Sequence, residues 1–193
     1  MYTSIYAART PALLDRLADT PEMRRLADIG MHCGCEYSGI PFYSPSSILP
    51  YSRLEHSVGV ARIIWHFTKD IKQAVAGLLH DIATPVFAHT IDFMNGDHLT
   101  QESTEDRTAS IIGGSEAIMA LLEENGIQSA DVSDYHRYPI ADNDTPKLSA
   151  DRLEYTIGNA YTVYRVGPDR LSGPRRSAGG WWRRVRRPRP VPV

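Results

Sequence analysis

The chain has 193 residues, of which 42% are hydrophobic and 23% charged, and its formal net charge is −2 at neutral pH. These values are ordinary for one globular domain. No apolar run approaches the roughly 18 residues that a membrane-spanning helix needs, and the N-terminal residues lack the apolar stretch of a secretory signal. The two cysteines, Cys33 and Cys35, are too close together for an ordinary disulfide. We therefore expect a cytoplasmic protein that has no membrane partner.

The near-neutral net charge conceals two regions of opposite sign. Residues 1–165 hold 13 basic and 22 acidic side chains, a net charge of −9, whereas residues 166–193 hold eight arginines and one aspartate. Gly and Pro occupy nine of the 28 positions in this second region. The sequence thus predicts a helical domain over 1–165 and an irregular basic tail over 166–193. An acidic domain argues against nucleic-acid binding.

The basic tail has three possible origins. It could be an interaction arm, a disordered linker, or a stretch translated out of frame from GC-rich DNA. The composition changes abruptly in mid-helix, which favours the last of the three. On that interpretation the domain over 1–165 would be incomplete at its C-terminal end.

Apolar residues recur at helical spacing along most of the domain, and no segment shows the alternation of a β-strand. The pairs Thr10-Pro11 and Thr20-Pro21 are typical of helix starts. Predicted helices follow these two pairs, the second ending at Gly30, and further helices occupy residues 55–67, 71–82, 86–94, 115–125 and 147–164. The fold class is therefore predicted to be all-α.

Ionisable residues adjoin the apolar faces of three predicted helices. His56 lies on the face of the helix over 55–67. His80 and Asp81 fall in the last turn of the next helix, which should end near Thr84-Pro85 because a residue before proline disfavours the helical conformation. Asp151 falls near the start of the last helix, whose expected buried face holds Leu153, Ile157, Tyr161 and Tyr164.

Two imidazoles and two carboxylates form a ligand set that suits Mn, Fe, Ni, Zn or Mg. A single histidine on an apolar face is more often an ordinary core or surface residue. Ionisable groups beside a core are nevertheless costly unless they are paired or bound to a cation. We therefore predict that His56, His80, Asp81 and Asp151 bind one divalent metal ion. Such an ion would suit phosphoester cleavage, because it binds phosphoryl oxygens and acidifies water.

Three segments, SRLEHSVGVA, AGLLHDIATPVFAHTIDF and LSADRLEY, closely resemble the HD-domain superfamily of metal-dependent phosphohydrolases. Within it they look most like the branch that includes deoxynucleoside triphosphate triphosphohydrolases. The resemblance implies an HD-domain-like helical bundle around a central metal site, with His56, His80, Asp81 and Asp151 as ligands. It also implies hydrolysis of a phosphoester in a nucleotide or a related phosphorylated molecule.

The chain departs from the triphosphohydrolase pattern at two positions. The pattern around the metal motif is close to HDxGHxPFxH, and Thr84 replaces its inner histidine while His89 matches the outer one. Further on, Gln101 stands where those enzymes often have a histidine implicated in proton transfer. Neither replacement can transfer a proton at a useful rate. The remaining catalytic candidates are His89, Asp92 and the ligand Asp81, and the candidates for phosphate contact are Arg53 and His89.

Two functions from different classes remain open. The first is a metal-dependent phosphohydrolase that acts on a nucleotide or a similar phosphorylated small molecule. The second is a catalytically weakened module that binds metal and nucleotide for a regulatory role, which Thr84 and Gln101 would allow. If helices beyond Asp151 were missing, an exposed apolar patch could also favour a homo-oligomer.

Overall fold

The computed structural model describes residues 9–44, 48–87, 90, 96, 107–144 and 146–166. Within these ranges the chain is helical, and the β-structure there is limited to an isolated antiparallel bridge between Gly30 and Ser52. The all-α prediction is confirmed. The candidates His89 and Asp92, residues 100–102 and the tail after Val166 lie outside the described residues.

Seven α-helices are present in the described part of the chain. They are α1 (Ala12–Ala18), α2 (Pro21–Arg24), α3 (Arg53–Thr68), α4 (Ile71–Leu79), α5 (Thr108–Gly114), α6 (Glu116–Glu124) and α7 (Ala150–Thr162). Helix α2 continues as a 3₁₀ turn over Arg25–Asp28, and shorter 3₁₀ turns occur at Cys35–Tyr37, Pro41–Tyr43, Ser129–Asp131 and Tyr135–Arg137. None of the described helices combines the length and the apolar character needed to cross a membrane.

Helices α3 and α4 form a tight hairpin at the centre of the fold. Ser52 and Glu55 start α3 with a reciprocal capping box, in which each side chain accepts a hydrogen bond from the other's backbone N–H. Lys69 ends α3 in the left-handed conformation, and the Asp70 carboxylate immediately caps α4. On α4, a Cβ atom at Gly77 would overlap Ile64. The two helices can therefore pack closely enough to bring their polar ends together.

The hydrophobic core surrounds this hairpin. The N-terminal helices contribute buried apolar residues to it, and α6 adds Ile118 and Leu122, both fully buried. Thr20 does not cap α2 through its side chain, because its hydroxyl donates to the Leu17 carbonyl instead. The core residues with no more than 2% exposure include Leu17, Met23, Leu26, Ile29, Val60, Ile64, Val75, Leu78, Leu79, Ile82, Ile112, Ile118 and Leu122.

The end of α4 and the presence of α5 differ from the predictions. Helix α4 ends at Leu79, with His80 as its C-cap, instead of continuing to residue 82. Asp81 then lies in a turn closed by a hydrogen bond from the Thr84 N–H to the Asp81 carbonyl. Helix α5 was not predicted, since its seven residues end in two glycines and offer a single fully buried apolar side chain, Ile112.

The predicted buried face of the last helix is wrong. The buried residues of α7 are Ala150, Glu154, Gly158 and Thr162. The predicted residues Leu153, Ile157 and Tyr161 are only partly buried, and Tyr164 lies beyond the helix and is 76% exposed. The helix is rotated so that its small and polar residues face α3, because Glu154 has hydrogen-bonding partners there and Gly158 leaves room for the Tyr51 ring.

Candidate metal centre

The structure brings three of the four predicted ligands into one group. His56 projects from the first turns of α3, His80 caps the C-terminus of α4, and Asp151 lies in the first turn of α7. One ligand atom from each of these residues lies within 4.8 Å of those of the other two. His56 Nε2 is 2.8 Å from Asp151 Oδ1, and His80 Nε2 is 3.8 Å from the same oxygen. Ligand atoms about 2.0–2.2 Å from one metal ion have similar mutual spacings.

Asp81 faces the same group from the turn after α4. Its Oδ2 lies 3.6 Å from His80 Nε2 and 3.9 Å from His56 Nε2. The Arg53 guanidinium donates to that oxygen over 3.0 Å, and the Thr84 hydroxyl donates to Oδ1 over 2.9 Å. Burial raises the pKa of Asp81, but the positive charges of Arg53 and the two histidines outweigh it and hold the pKa well below its usual range. Asp81 is therefore ionised, as a metal ligand must be.

The other ring nitrogen of each histidine has an acceptor that fixes the ring's orientation. His56 Nδ1 lies 2.5 Å from Glu154 Oε2, and His80 Nδ1 lies 2.7 Å from the Gly77 carbonyl oxygen. An Nδ1–H donated to such acceptors leaves the Nε2 lone pair of a neutral imidazole free for a metal. Both Nε2 atoms face the two aspartates. This arrangement fits a divalent cation, and its ligand types match those that such cations take.

Without a metal ion, the His56 imidazole carries an additional proton. Burial lowers the pKa of His56, but hydrogen bonds to Asp151 and then to Glu154, with their negative charges, raise the pKa to about 10. Burial raises the pKa of Asp151, whereas the hydrogen bond from His56 and the charges of the two histidines lower it overall. At neutral pH the His56 side chain of the metal-free centre is therefore an imidazolium between the Asp151 and Glu154 carboxylates. A metal cation that binds His56 must displace one of its protons.

The metal-free protein should lose stability as the pH rises from about 6.5 to about 10. The pKa of His56 is raised to about 10 in the folded chain from 6.5, so its stabilising effect is complete below pH 6.5 and disappears as the proton leaves. Thermal unfolding in a chelator at a series of pH values measures this. The variant His56→Gln should remove most of the slope, and an unchanged slope in that variant would contradict the assignment.

The centre opens onto a cavity of about 460 Å³, lined in part by Met31, Cys33, Arg53, His56, Asp151 and Tyr155. This volume is in the usual range for small-molecule sites. Arg53 lies at its wall, and its guanidinium donates hydrogen bonds to the Asp81 carboxylate. Arg152 also lines the cavity, and its guanidinium binds the Asp142 carboxylate and the Asn143 side chain. Arg53 therefore orients Asp81, while Arg152 is hydrogen-bonded to the loop that precedes α7.

Sequence reasoning missed two residues of the centre, Glu154 and Tyr51. Glu154 is fully buried, and Tyr51 is 4% exposed. The Tyr51 hydroxyl donates a short hydrogen bond to the Glu154 oxygen that also contacts His56. The sequence does place Glu154 three residues after Asp151, and therefore on the same face of the helix. This spacing could have indicated that Glu154 lies near the centre. Nothing in the sequence near Tyr51 indicates this contact.

Part of the chain matches a known protein family. Residues 53–138 match the family model of the HD domain, a range that includes His56, His80 and Asp81 and ends before Asp151. The chain is similar to the uncharacterized protein YdhJ of Bacillus subtilis, with 32% identity over 111 residues, which are 57% of this chain and 34% of the relative.

A second similar protein is the metal-dependent phosphohydrolase cns2 of Cordyceps militaris. The two are 29% identical over 156 residues, which are 81% of this chain and 42% of the relative. The matched part of the chain thus spans less than half the length of each of these two curated relatives. The matched range, the histidine and aspartate group and the helical fold agree with one another, and the chain contains an HD domain over residues 53–138.

Proposed function

We propose that the protein is a metal-dependent phosphohydrolase that cleaves a phosphoester or phosphoanhydride bond of a nucleotide or a similar phosphorylated small molecule. The observation that carries the proposal is the pair of histidines whose Nδ1 atoms are hydrogen-bonded and whose Nε2 atoms face Asp81 and Asp151 at a cavity. The Cordyceps relative is a metal-dependent phosphohydrolase, which supports the same activity class.

His56, His80, Asp81 and Asp151 would hold the divalent cation. When bound, such an ion neutralises phosphoryl charge and supplies a nucleophile at neutral pH by acidifying water. Arg53 and Thr84 keep the Asp81 carboxylate ionised and oriented. The metal identity remains a prediction within the set Mn, Fe, Ni, Zn and Mg, because nitrogen and oxygen ligands suit all of these ions.

Proton transfer must come from residues other than Thr84. Its hydroxyl donates to Asp81 Oδ1 over 2.9 Å and so serves the carboxylate. A threonine hydroxyl also has no acid or base function near neutral pH. We keep His89 and Asp92 as the proposed proton-transfer residues, and His89 and Arg53 as the proposed phosphate contacts.

The alternative function is a regulatory module that binds metal and nucleotide without turnover. The contact between Thr84 and Asp81 favours it, since the position that matches a histidine in the triphosphohydrolase pattern is here used to brace a ligand. Both functions require the same metal and a phosphorylated ligand. They differ only in whether the bound ligand is cleaved.

Removal of metal should abolish hydrolysis, and its return should restore it. The protein would be dialysed against a chelator and supplied with Mn²⁺, Fe²⁺, Ni²⁺, Zn²⁺ or Mg²⁺ in turn. Nucleoside mono- and triphosphates would serve as substrates, with release of phosphate, pyrophosphate and triphosphate measured. Release only in the presence of metal supports the enzyme, whereas saturable binding without release supports the regulatory module. A chain that neither binds metal nor cleaves any substrate would refute both.

The wider predictions are also proposals. We propose a cytoplasmic protein, and the free thiols of Cys33 and Cys35 accord with a reducing compartment.

The division into a domain over 1–165 and a tail over 166–193 can be tested with a chain that ends at Arg165, which should keep metal binding and lose any affinity for nucleic acid. We also propose that the chain forms a homo-oligomer, which light scattering measures.

A further inference from the structure

We infer that Glu154 is a positioning residue that fixes the tautomer and the orientation of His56 as a metal ligand, an inference that rests on the proposed metal site. Glu154 is fully buried, although glutamate is rarely found in such an environment without a partner. It lies one turn after Asp151 on α7 and reaches across to α3. It therefore contacts the opposite edge of the imidazole from the one that faces Asp151.

The contacts of Glu154 account for its burial. Its Oε2 atom lies 2.5 Å from His56 Nδ1 and also accepts a short hydrogen bond from the Tyr51 hydroxyl. Two donors that converge on one carboxylate oxygen offset part of the cost of removing the charge from water. His56 thus lies between two carboxylates, with Nδ1 on Glu154 and Nε2 on Asp151. Because only Nε2 also faces His80 and Asp81, the two edges of the ring have different roles.

Two glycines leave the space that this arrangement occupies. On α3, a Cβ atom at Gly59 would lie 2.5 Å from Glu154 Oε1, which is closer than real Cβ contacts. On α7, a Cβ atom at Gly158 would overlap the Tyr51 ring. Glycine in a helix interior costs about 1 kcal/mol relative to alanine, so both positions give up helix stability where the side chains of Glu154 and Tyr51 need room.

The consequence for a bound cation is specific. A carboxylate that accepts the Nδ1–H keeps this proton off Nε2, aims the Nε2 lone pair at the ligand group and makes the imidazole a stronger ligand. His80 has only the Gly77 carbonyl oxygen in the corresponding position. The two histidines are therefore unequal ligands, and His56 is the one that an anionic partner strengthens.

A purely structural role for Glu154 predicts a different outcome. If the residue only tied α7 to α3, its loss would lower the unfolding temperature and leave the affinity of the remaining folded protein for metal unchanged. The two roles are separated by measuring metal affinity and imidazole tautomer on folded samples. The variants are Glu154→Ala and Glu154→Gln, and the matched control is Glu123→Gln on the exposed side of α6.

Zn²⁺ is the probe, because it is diamagnetic and suits a histidine-carboxylate site. We expect Glu154→Ala to weaken Zn²⁺ binding about 10–100-fold, Glu154→Gln to weaken it less, and Glu123→Gln to leave it unchanged. In ¹⁵N–¹H correlation spectra of the Zn²⁺-loaded full chain, the His56 Nδ1 proton should be observed in the original protein. It should exchange faster with water in Glu154→Ala, because its acceptor is gone.

Gly59→Ala provides an independent variant that keeps the carboxylate but displaces it. We expect it to weaken Zn²⁺ binding in the same direction as Glu154→Ala, although alanine favours the helix itself. If the original chain binds Zn²⁺ and the Glu154 variants bind it equally well, the inference is overturned while the proposed function stands. If the original chain binds no Zn²⁺, the proposed metal site fails, and the inference fails with it.

Discussion

Asp81→Asn is expected to abolish metal binding and hydrolysis while the helical fold is retained. Asparagine has nearly the same size and keeps an oxygen that can accept hydrogen bonds from Arg53 and Thr84. It lacks the negative charge that faces both His56 and His80. Loss of a partner outside the ligand group typically costs about 10–100-fold in affinity or activity, so the loss of a ligand should exceed that range.

Metal content by elemental analysis, Zn²⁺ titration and phosphate release measure the effect, and circular dichroism checks the fold. Asp15→Asn on the exposed side of α1 is the matched control and should behave like the original protein. Full metal occupancy in Asp81→Asn would show that Asp81 is not a ligand. The group would then consist of His56, His80 and Asp151 alone.

Arg53→Met is expected to destabilise the metal-free protein by about 3–5 kcal/mol, the usual cost of leaving one charge of a buried ion pair without its partner. The Arg53 and Asp81 side chains are only 8% and 13% exposed, and the pair is 3.0 Å apart. The substitution also removes the charge that contributes most to lowering the pKa of Asp81, so this pKa should rise. Urea unfolding in the presence of a chelator measures the free energy of unfolding.

The chain contains a matched control for this prediction. Arg16 and Glu124 join α1 to α6 through an ion pair of similar length, 2.7 Å, but their side chains are 52% and 56% exposed. Water already solvates both groups, and surface pairs of this kind contribute little. Arg16→Met should therefore leave the urea midpoint almost unchanged. Equal effects of the two substitutions would mean that burial does not decide the strength of the Arg53–Asp81 pair.

The sequence was sufficient to predict the helical class. The structure brings His56, His80 and Asp151 into one group with Asp81 beside it, and their role as metal ligands stays a prediction. Helical spacing identified α3 and α4, because their apolar faces are long and regular. The adjacent pair His80-Asp81 at the end of an apolar run also indicated where the polar group would lie. These features depend on the spacing of apolar residues within one segment, which can be read directly from the sequence.

The parts that could not be predicted depend on contacts between distant segments. Glu154 reads as an exposed residue until its partner Tyr51 is known, and the two are separated by 103 positions. The helical spacing of Leu153 and Ile157 gives no sign that Glu154, Gly158 and Thr162 are the buried residues of α7. Thr84 was read only as a missing histidine, whereas the structure shows that its hydroxyl braces Asp81.

We expect the tight turn at Lys69-Asp70 to divide the assembly of the centre into two stages of folding. His56, His80 and Asp81 come from a local hairpin whose closure requires little loss of chain entropy. Asp151 arrives from α7, after about 70 further residues of chain, and contacts this remote in sequence form slowly. A nascent or partly unfolded chain therefore holds an incomplete centre. We expect the proposed ligand group to be complete only once α7 packs against α3.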